Sequence, residues 1–126
     1  MDAKKFNQAM DIMKDKLGKA FLAGSIWANV DGQPIVSYDP NKALDVGAAN
    51  ALFNQVTAYI KKSLKGANFP SQLNRYYMMD LTDNKIVIAA QLGEDFQWGM
   101  LIDTGQTTLG LVLNVALPEA MALFGK

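Results

Sequence analysis

The dipeptide Asp31-Gly32 lies between two β-rich runs, "FLAGSIWANV" and "PIVSYD", and it constrains the fold more than any other short stretch. Glycine accepts the positive φ angle that a tight hairpin turn requires, so this pattern predicts two antiparallel strands. Pro34 has no amide hydrogen to donate within a sheet, which predicts that the second strand, 34–38, lies at a sheet edge. An antiparallel sheet is therefore expected.

Helical periodicity flanks this hairpin on both sides. Upstream, apolar residues recur at helical spacing until Gly18, where the helix is expected to end: Phe6, Met10, Met13 and Leu17. Downstream, a long helix is predicted from a start between residues 42 and 48 to a stop at Gly66. Its apolar stripe, which we expect to face the core, consists of Leu44, Ala48, Leu52, Val56, Tyr59, Ile60 and Leu64.

Three further β-rich runs follow, "RYYMMDL", "KIVIAAQL" and "FQWGMLID", each separated from the next by three turn-forming residues. This succession predicts a three-stranded meander. The middle run is apolar on both faces from Ile86 to Ala90, which is typical of an interior strand covered by helices on each side. The last segment has helical spacing until Pro118, which breaks the helix or begins a short one. The predicted order is α-β-β-α-β-β-β-α, in a single α+β domain spanning residues 1–126.

The residue types that are missing exclude several kinds of chemistry. The 126-residue chain contains no cysteine and no histidine. Thiol redox reactions are thereby excluded, as are the usual general base and the commonest zinc ligand. The sequence predicts no cofactor and no metal site.

Charge and hydropathy bear on the partners of the chain. Its 12 basic and 12 acidic residues balance, and they are interleaved rather than clustered. Nucleic acid is therefore not an expected partner, because phosphate binding requires a basic surface. No stretch approaches the roughly 18 apolar residues of a membrane helix, and the N-terminal segment lacks the apolar region of a signal peptide. We expect a soluble, cytoplasmic protein without a membrane partner.

Asp103-Thr104-Gly105 matches the tripeptide that carries the catalytic carboxylate of aspartic proteases. Those enzymes need two such loops, so a peptidase would have to be a homodimer. The residues after Gly105 have a helical pattern, which does not fit the strands of such an enzyme. We expect Asp103 to be a helix N-cap with Gln106 as its capping-box partner, and we assign no catalytic residue.

Four aromatic residues leave a second function open: Trp27, Tyr76, Tyr77 and Trp98. Within strands of a small sheet, such residues more often belong to the core than to a ligand pocket. The alternative function is therefore that of a profilin-like or sensor-type domain that binds a small molecule.

Three stretches in this order resemble the roadblock/dynein light-chain family: "ANVDGQPIVS" (28–37), "LFNQVTAYIKKSL" (52–64) and "NKIVIAAQLGEDFQWGMLID" (84–103). The resemblance implies a five-stranded antiparallel sheet with helices on both faces, as in a roadblock/profilin-like sandwich. The long helix would cover one face, and the first and last helices the other. It also implies a homodimer in which the third strand pairs with its copy and the two long helices lie side by side.

The residue pattern of the third strand favours the same dimer. The run is apolar on both faces and has few charges to protect an edge, so an edge position would require pairing. The expected dimer interface comprises Arg75, Tyr76, Tyr77, Met78, Met79 and Leu81.

The family resemblance further implies a non-enzymatic regulatory or scaffold module that binds a small Ras-like GTPase. The partner is expected to contact exposed residues of the long helix: Asn54, Gln55, Ala58, Lys61 and Lys62. The sole arginine, Arg75, belongs to the expected dimer strand, so an arginine-finger mechanism is not expected.

Overall fold

A five-stranded antiparallel sheet forms the centre of the computed structural model, which describes residues 3–125. The strands lie in the order β2-β1-β5-β4-β3, so that β5 is central and β2 and β3 are the edges. Their bounds are β1 (Phe21–Ala28), β2 (Pro34–Tyr38), β3 (Tyr76–Leu81), β4 (Lys85–Leu92) and β5 (Phe96–Asp103). The predicted α+β class and the five-stranded antiparallel sheet are confirmed.

The helices cover both faces of the sheet. They are α1 (Ala3–Leu17), α2 (Val46–Gly66), α3 (Leu109–Leu111) and α4 (Leu117–Ala122), with a 3-10 turn at Gly18–Ala20 and a π-helical segment at Val112–Ala116. Residues 109–122 together form the C-terminal helical segment. Within residues 3–125, no helix combines the length and the apolarity needed to cross a membrane.

The predicted turn and edge signals are confirmed. Gly32 has a φ of +69°, a conformation that glycine adopts without the steric penalty of a Cβ. Pro34 is the first residue of β2, which pairs only with β1 in the described part of the chain. Gly18, with a φ of +55°, directly follows α1, as expected.

One face of the sheet carries the main apolar core. Helix α1 and the C-terminal helical segment pack on this face through side chains almost fully removed from water. The larger members of this core are Phe6, Met10, Met13, Phe21, Ile26, Ile86, Ile88, Trp98, Met100, Ile102, Val112, Leu117 and Met121. At about 25 cal/mol per Å² of apolar surface, this packing is the chief stabilising contribution of the fold.

Pro118 shapes the C-terminal helical segment. Proline has no amide hydrogen, and its ring collides with the carbonyl four residues earlier in a regular α-helix. The helix widens immediately before it, and the amide of Leu117 bonds to the carbonyl of Val112, five residues back. Helix α4 then begins with Pro118 in its first turn, as the sequence predicts.

Helix α2 covers the other face, but only part of its expected apolar stripe is turned inward: Val56, Ile60 and Leu64 are half-buried, whereas Leu44 and Ala48 are exposed. Its two fully buried side chains are Asn50 and Thr57, whereas Leu52 and Tyr59 are 54% and 72% exposed. The helix starts within the predicted range, where the Asp45 carboxylate accepts a hydrogen bond from the amide of Ala48. It ends at Gly66, as predicted, with Ala67 as the C-cap.

Candidate functional site

Strand β3 is an unprotected edge of the sheet. It pairs with β4 from Tyr76 to Leu81 without a bulge, and its other side pairs with no strand of residues 3–125. Natural edges are usually protected by lysine, proline, bulges or shortness. Asp80 is the single charged residue in this strand, so the described edge has little protection against pairing with another strand.

The direction of the backbone groups along β3 follows from one hydrogen bond. The amide of Gln91 donates to the carbonyl of Arg75 at 2.7 Å, so Arg75 directs its backbone groups toward β4. In an antiparallel ladder, residues alternate between facing the partner strand and facing away from it. Tyr76, Met78 and Asp80 therefore direct their amide and carbonyl groups to the open edge.

The expected dimer residues share this strand or lie beside it. Met78 and Leu81 are 38% and 43% exposed, while Tyr76, Tyr77 and Met79 are half-buried. Arg75 is exposed, and its guanidinium lies 5.9 Å from the centre of the Tyr76 ring. The structure thus brings all six residues to one edge of the sheet.

The outward face of α2 is a second exposed surface. Most of its residues are small or apolar, and all of the following are exposed: Ala51, Leu52, Gln55, Ala58, Tyr59 and Lys62. Ala51, Gln55, Ala58 and Lys62 follow one another at helical spacing and so form one continuous stripe. Ala51 and Ala58 are the small residues of this stripe, whereas Gln55 and Lys62 are long and polar.

The inward face of α2 is joined to the sheet by a buried polar network centred on Gln97. The Nε2 group of Gln97 donates to Asn29 Oδ1 at 2.8 Å and to Asn54 Oδ1 at 2.9 Å. The Oε1 atom of Gln97 accepts from Thr57 Oγ1 at 2.6 Å and, weakly, from Gln91 Nε2 at 3.5 Å. Hydrogen bonds in such water-excluded networks require matched geometry, so the network fixes the position of α2 on the sheet.

Asn54 belongs to this network, which corrects its expected place among exposed partner-binding residues. Its side chain accepts from Gln97 and from Trp27 Nε1, and it donates to the carbonyl of Asn29 at 3.0 Å. The other four expected partner residues, Gln55, Ala58, Lys61 and Lys62, are exposed. Asn54 points inward because it stands four residues after Asn50 and three before Thr57, both buried.

The apolar pattern of the sequence does not predict this network, but its polar pattern carries a signal for it. Polar residues recur at helical spacing in Asn50, Asn54 and Thr57, and Gln91 and Gln97 interrupt otherwise apolar strands. Polar side chains at buried positions are normally hydrogen-bonded to one another. Combining the two patterns would have predicted a helix held to the sheet through polar contacts.

Tyr77 connects the network to the β3 edge. Its hydroxyl lies 3.0 Å from Thr57 Oγ1 and shares a hydrogen bond with it. Burial raises the pKa of the Tyr77 hydroxyl above its ordinary value, and the hydrogen bond with Thr57 opposes this rise without cancelling it. The phenol is therefore neutral throughout the physiological pH range, and the contact between β3 and α2 is retained there.

Asp103 forms a turn rather than a helix cap. Its carboxylate accepts from the Gly105 amide and from Gln106 Nε2, each at 2.9 Å, but the helix begins only at Leu109. Thr108 is the N-cap, with Oγ1 accepting from the Leu111 amide at 3.1 Å. The expected cap role of Asp103 is therefore wrong, because five residues separate it from the first helical residue.

The electrostatics of Asp103 also follow from this turn. Hydrogen bonds from Gln106 and from the Gly105 amide hold the pKa of the carboxyl below its ordinary range, with a smaller contribution from Lys85. An exposed carboxylate held in its ionised form lacks the shared proton on which aspartic proteases depend. Among residues 3–125, no group of three or more acidic residues is placed to hold a metal ion.

The four aromatic residues do not form one pocket. Trp98 is fully buried in the apolar core, and Tyr76 packs against the same core. Trp27 is also fully buried, but it lies on the α2 face, where its ring approaches Gly99 so closely that a Cβ there would lie 3.1 Å from it. Trp27 additionally lines a cavity beneath α2.

Lys61 lies at the opposite end of α2 from that cavity. It lines an open cleft of about 770 Å³ together with other polar residues, which include Lys65, Asn68, Gln72, Asn74, Gln91 and Glu94. The cleft presents both charge signs, unlike the mostly apolar lining that is typical of a small-molecule pocket.

Comparison with known proteins identifies relatives by structure alone. No protein-family model matches the sequence, and no curated protein matches it. Solved structures nevertheless match over nearly the entire chain. MglB of Myxococcus xanthus has a TM-score of 0.78 at 13% identity, with 97% of this chain and 86% of that chain covered.

Two further structures extend this likeness. The gliding protein MglB of Thermus thermophilus has a TM-score of 0.73 at 11% identity, covering 98% of this chain and 90% of that one. A roadblock/LC7 domain of Streptomyces avermitilis has a TM-score of 0.64 at 11% identity, covering 90% and 88%. The chain therefore has the roadblock/LC7 fold, and the resemblance drawn from its sequence is confirmed at the level of the fold.

Proposed function

We propose that this chain is a non-enzymatic, homodimeric regulatory or scaffold module that binds a small Ras-like GTPase in the cytoplasm. The observation that carries the proposal is the likeness to MglB over 97% of the chain. The roadblock family resemblance supplies the class of partner. The exposed surfaces of β3 and α2 supply places at which such contacts form.

The dimer is proposed to form through the β3 edge. Two copies of the strand, related by a two-fold axis, would extend the sheet across the dimer, because the open edge directs donors and acceptors outward. Met78 and Leu81 add exposed apolar surface at this edge. The two α2 helices would then lie side by side, as the family resemblance implies.

The GTPase is proposed to contact the exposed part of α2 that includes Gln55, Ala58, Lys61 and Lys62. Arg75 belongs to the proposed self-interface. An effect on GTP hydrolysis would therefore come from positioning groups of the GTPase itself rather than from an arginine finger.

The dimer is tested by Met78→Pro. Proline at this position removes a donor from the open edge but none from the ladder with β4, so the fold should persist while pairing is blocked. Light scattering should report twice the 13.8 kDa monomer mass for the wild type and the monomer mass for the variant. Met78→Thr, which keeps the amide, is the matched control and should remain dimeric. A monomeric wild type, or a dimeric Met78→Pro variant, would reject this interface.

The GTPase is tested separately, with purified Ras-like GTPases encoded in the same genome and loaded with GDP or a GTP analogue. Lys62→Glu reverses a charge on the proposed surface and should weaken binding by about tenfold, which corresponds to roughly 1.4 kcal/mol. Lys5→Glu makes the same change on an exposed position of α1 and should leave binding unchanged. Absence of binding to every GTPase would reject this partner and leave the dimer untouched.

A further inference from the structure

We propose that the cavity between the N-terminal half of α2 and the sheet is a binding site for a small apolar molecule, such as a single aromatic ring or a short alkyl chain. The cavity has a volume of about 240 Å³. Cavities of roughly 150 Å³ lined by aliphatic and aromatic side chains stay dry and admit benzene. The volume is therefore sufficient for a ligand of that class.

The shape of the cavity follows from the side chains that separate α2 from the sheet. In the middle of the helix, the Trp27 ring and the Gln97 network occupy the space between the two layers. Nearer the start of the helix, the sheet contributes the small residues Ala23 and Gly99, and the helix contributes Ala49. The larger groups hold α2 away from the sheet, and the small ones leave the resulting space unfilled.

The lining of the cavity is chemically uniform. It contains no charged residue, and its larger apolar members are Trp27, Val46, Phe53, Val87 and Leu101. Its two polar side chains are Ser25 and Asn50, and they bond to each other, with Asn50 Nδ2 donating to Ser25 Oγ at 3.1 Å. Because these polar groups already have a partner, the walls offer a ligand mainly apolar contact, and ordered water is poorly held.

Three lining residues, Leu44, Leu52 and Leu81, are exposed, so we take the cavity to open to solvent beside them. Leu44 is 39% exposed, and it precedes the Asp45 cap, so it lies outside the hydrogen-bonded part of the helix. Gly47 in the first turn further lowers the local helical stability. Opening of this end requires movement of a loop residue and one helical turn, not separation of the whole helix.

A small molecule fits this cavity better than a second copy of the chain does. The walls include Val46, Asn50 and Phe53, which lie on the face of α2 turned toward the sheet. A helix or strand of a second copy would have to displace α2 to reach them. The surfaces proposed for self-association meet the cavity only at its exposed lining residues Leu52 and Leu81, and not at these inner walls.

The test is a titration of the ¹⁵N-labelled protein with toluene, followed by NMR. We expect saturable shifts of the amide signals of Ala23, Ala49 and Val87. Ala49→Phe fills the cavity and should weaken toluene binding at least about tenfold. Ala51→Phe makes the same change on the outward face of α2 and should leave the affinity unchanged. Val87→Phe fills the cavity from the sheet side and should act as Ala49→Phe does.

Two results would overturn the proposal. One is a titration of the wild type that produces no saturable shifts around the cavity. This result does not depend on the folding of any variant. The other is loss of toluene binding in the monomeric Met78→Pro variant, which would place the ligand between two copies. Retained binding in that variant supports a site within one chain, whatever the outcome of the dimer test.

Discussion

Gln97 shows at the scale of one residue how α2 is held on the sheet. Its side chain hydrogen-bonds to those of Asn29, Asn54 and Thr57 and is almost completely buried. Replacement by leucine would leave these three polar groups without their shared partner, and Thr57 is itself buried. Each buried group left without a partner costs roughly 1–3 kcal/mol.

Gln97→Leu should therefore lower the free energy of unfolding by about 3 kcal/mol, allowing for partial relaxation of the network. Urea denaturation monitored by circular dichroism measures the change. Gln55→Leu is the matched control, because Gln55 is exposed on the outward face of α2, and its effect should stay within about 0.5 kcal/mol. Equal effects of the two substitutions would contradict a structural role for the network.

Asp103 provides a test that depends on pH. Its pKa is lowered in the folded chain, so its ionised form contributes stability above the ordinary value of 3.8, and this contribution is lost as the pH falls through the lowered folded pKa. The difference in stability between the wild type and Asp103→Asn should be constant from pH 5 to 8 and change only below about pH 4. Urea titrations at pH 7 and pH 3 measure it, and a change centred near pH 6 would contradict this origin.

At the scale of the element, the start of the C-terminal helical segment depends on Thr108. Thr108→Ala removes the hydroxyl that accepts from the Leu111 amide and should lower the free energy of unfolding by about 1 kcal/mol. Thr107→Ala is the control, because the buried hydroxyl of Thr107 has no hydrogen-bond partner. Thermal or urea denaturation compares the two variants. A greater loss in Thr107→Ala would show that the cap is misassigned.

The elements also show where prediction from sequence succeeds and where it fails. The hairpin at Asp31-Gly32 and the edge strand that begins at Pro34 depend on the conformational limits of single residues. Both are therefore predicted correctly from the sequence. The inward face of α2 depends on contacts such as that between Thr57 and Gln97, forty residues apart, and apolar periodicity alone does not reveal them. Asp103 is misread for a related reason, since the cap pattern does not reveal how far the turn extends.

At the scale of the whole molecule, the proposed self-association would be linked to stability. If folding is coupled to pairing of the β3 edges, mass action makes the midpoint of thermal unfolding rise with protein concentration. The wild type should show this rise between micromolar and millimolar concentrations, and Met78→Pro should not. Scanning calorimetry at several concentrations measures it. A midpoint of the wild type that is independent of concentration would argue against an obligate dimer.

The unlike faces of the sheet have a consequence for how the protein tolerates mutation. On the α1 face, apolar residues of similar volume replace one another at small cost, because contact between them has no direction. On the α2 face, each donor must meet its acceptor, so an acceptable exchange at Gln97 requires a matching exchange at Asn54 or Thr57. Random mutagenesis should therefore recover single neutral changes beneath α1 and paired changes beneath α2. Amino-acid substitutions should therefore be accepted more often on the α1 side of the sheet than on the α2 side.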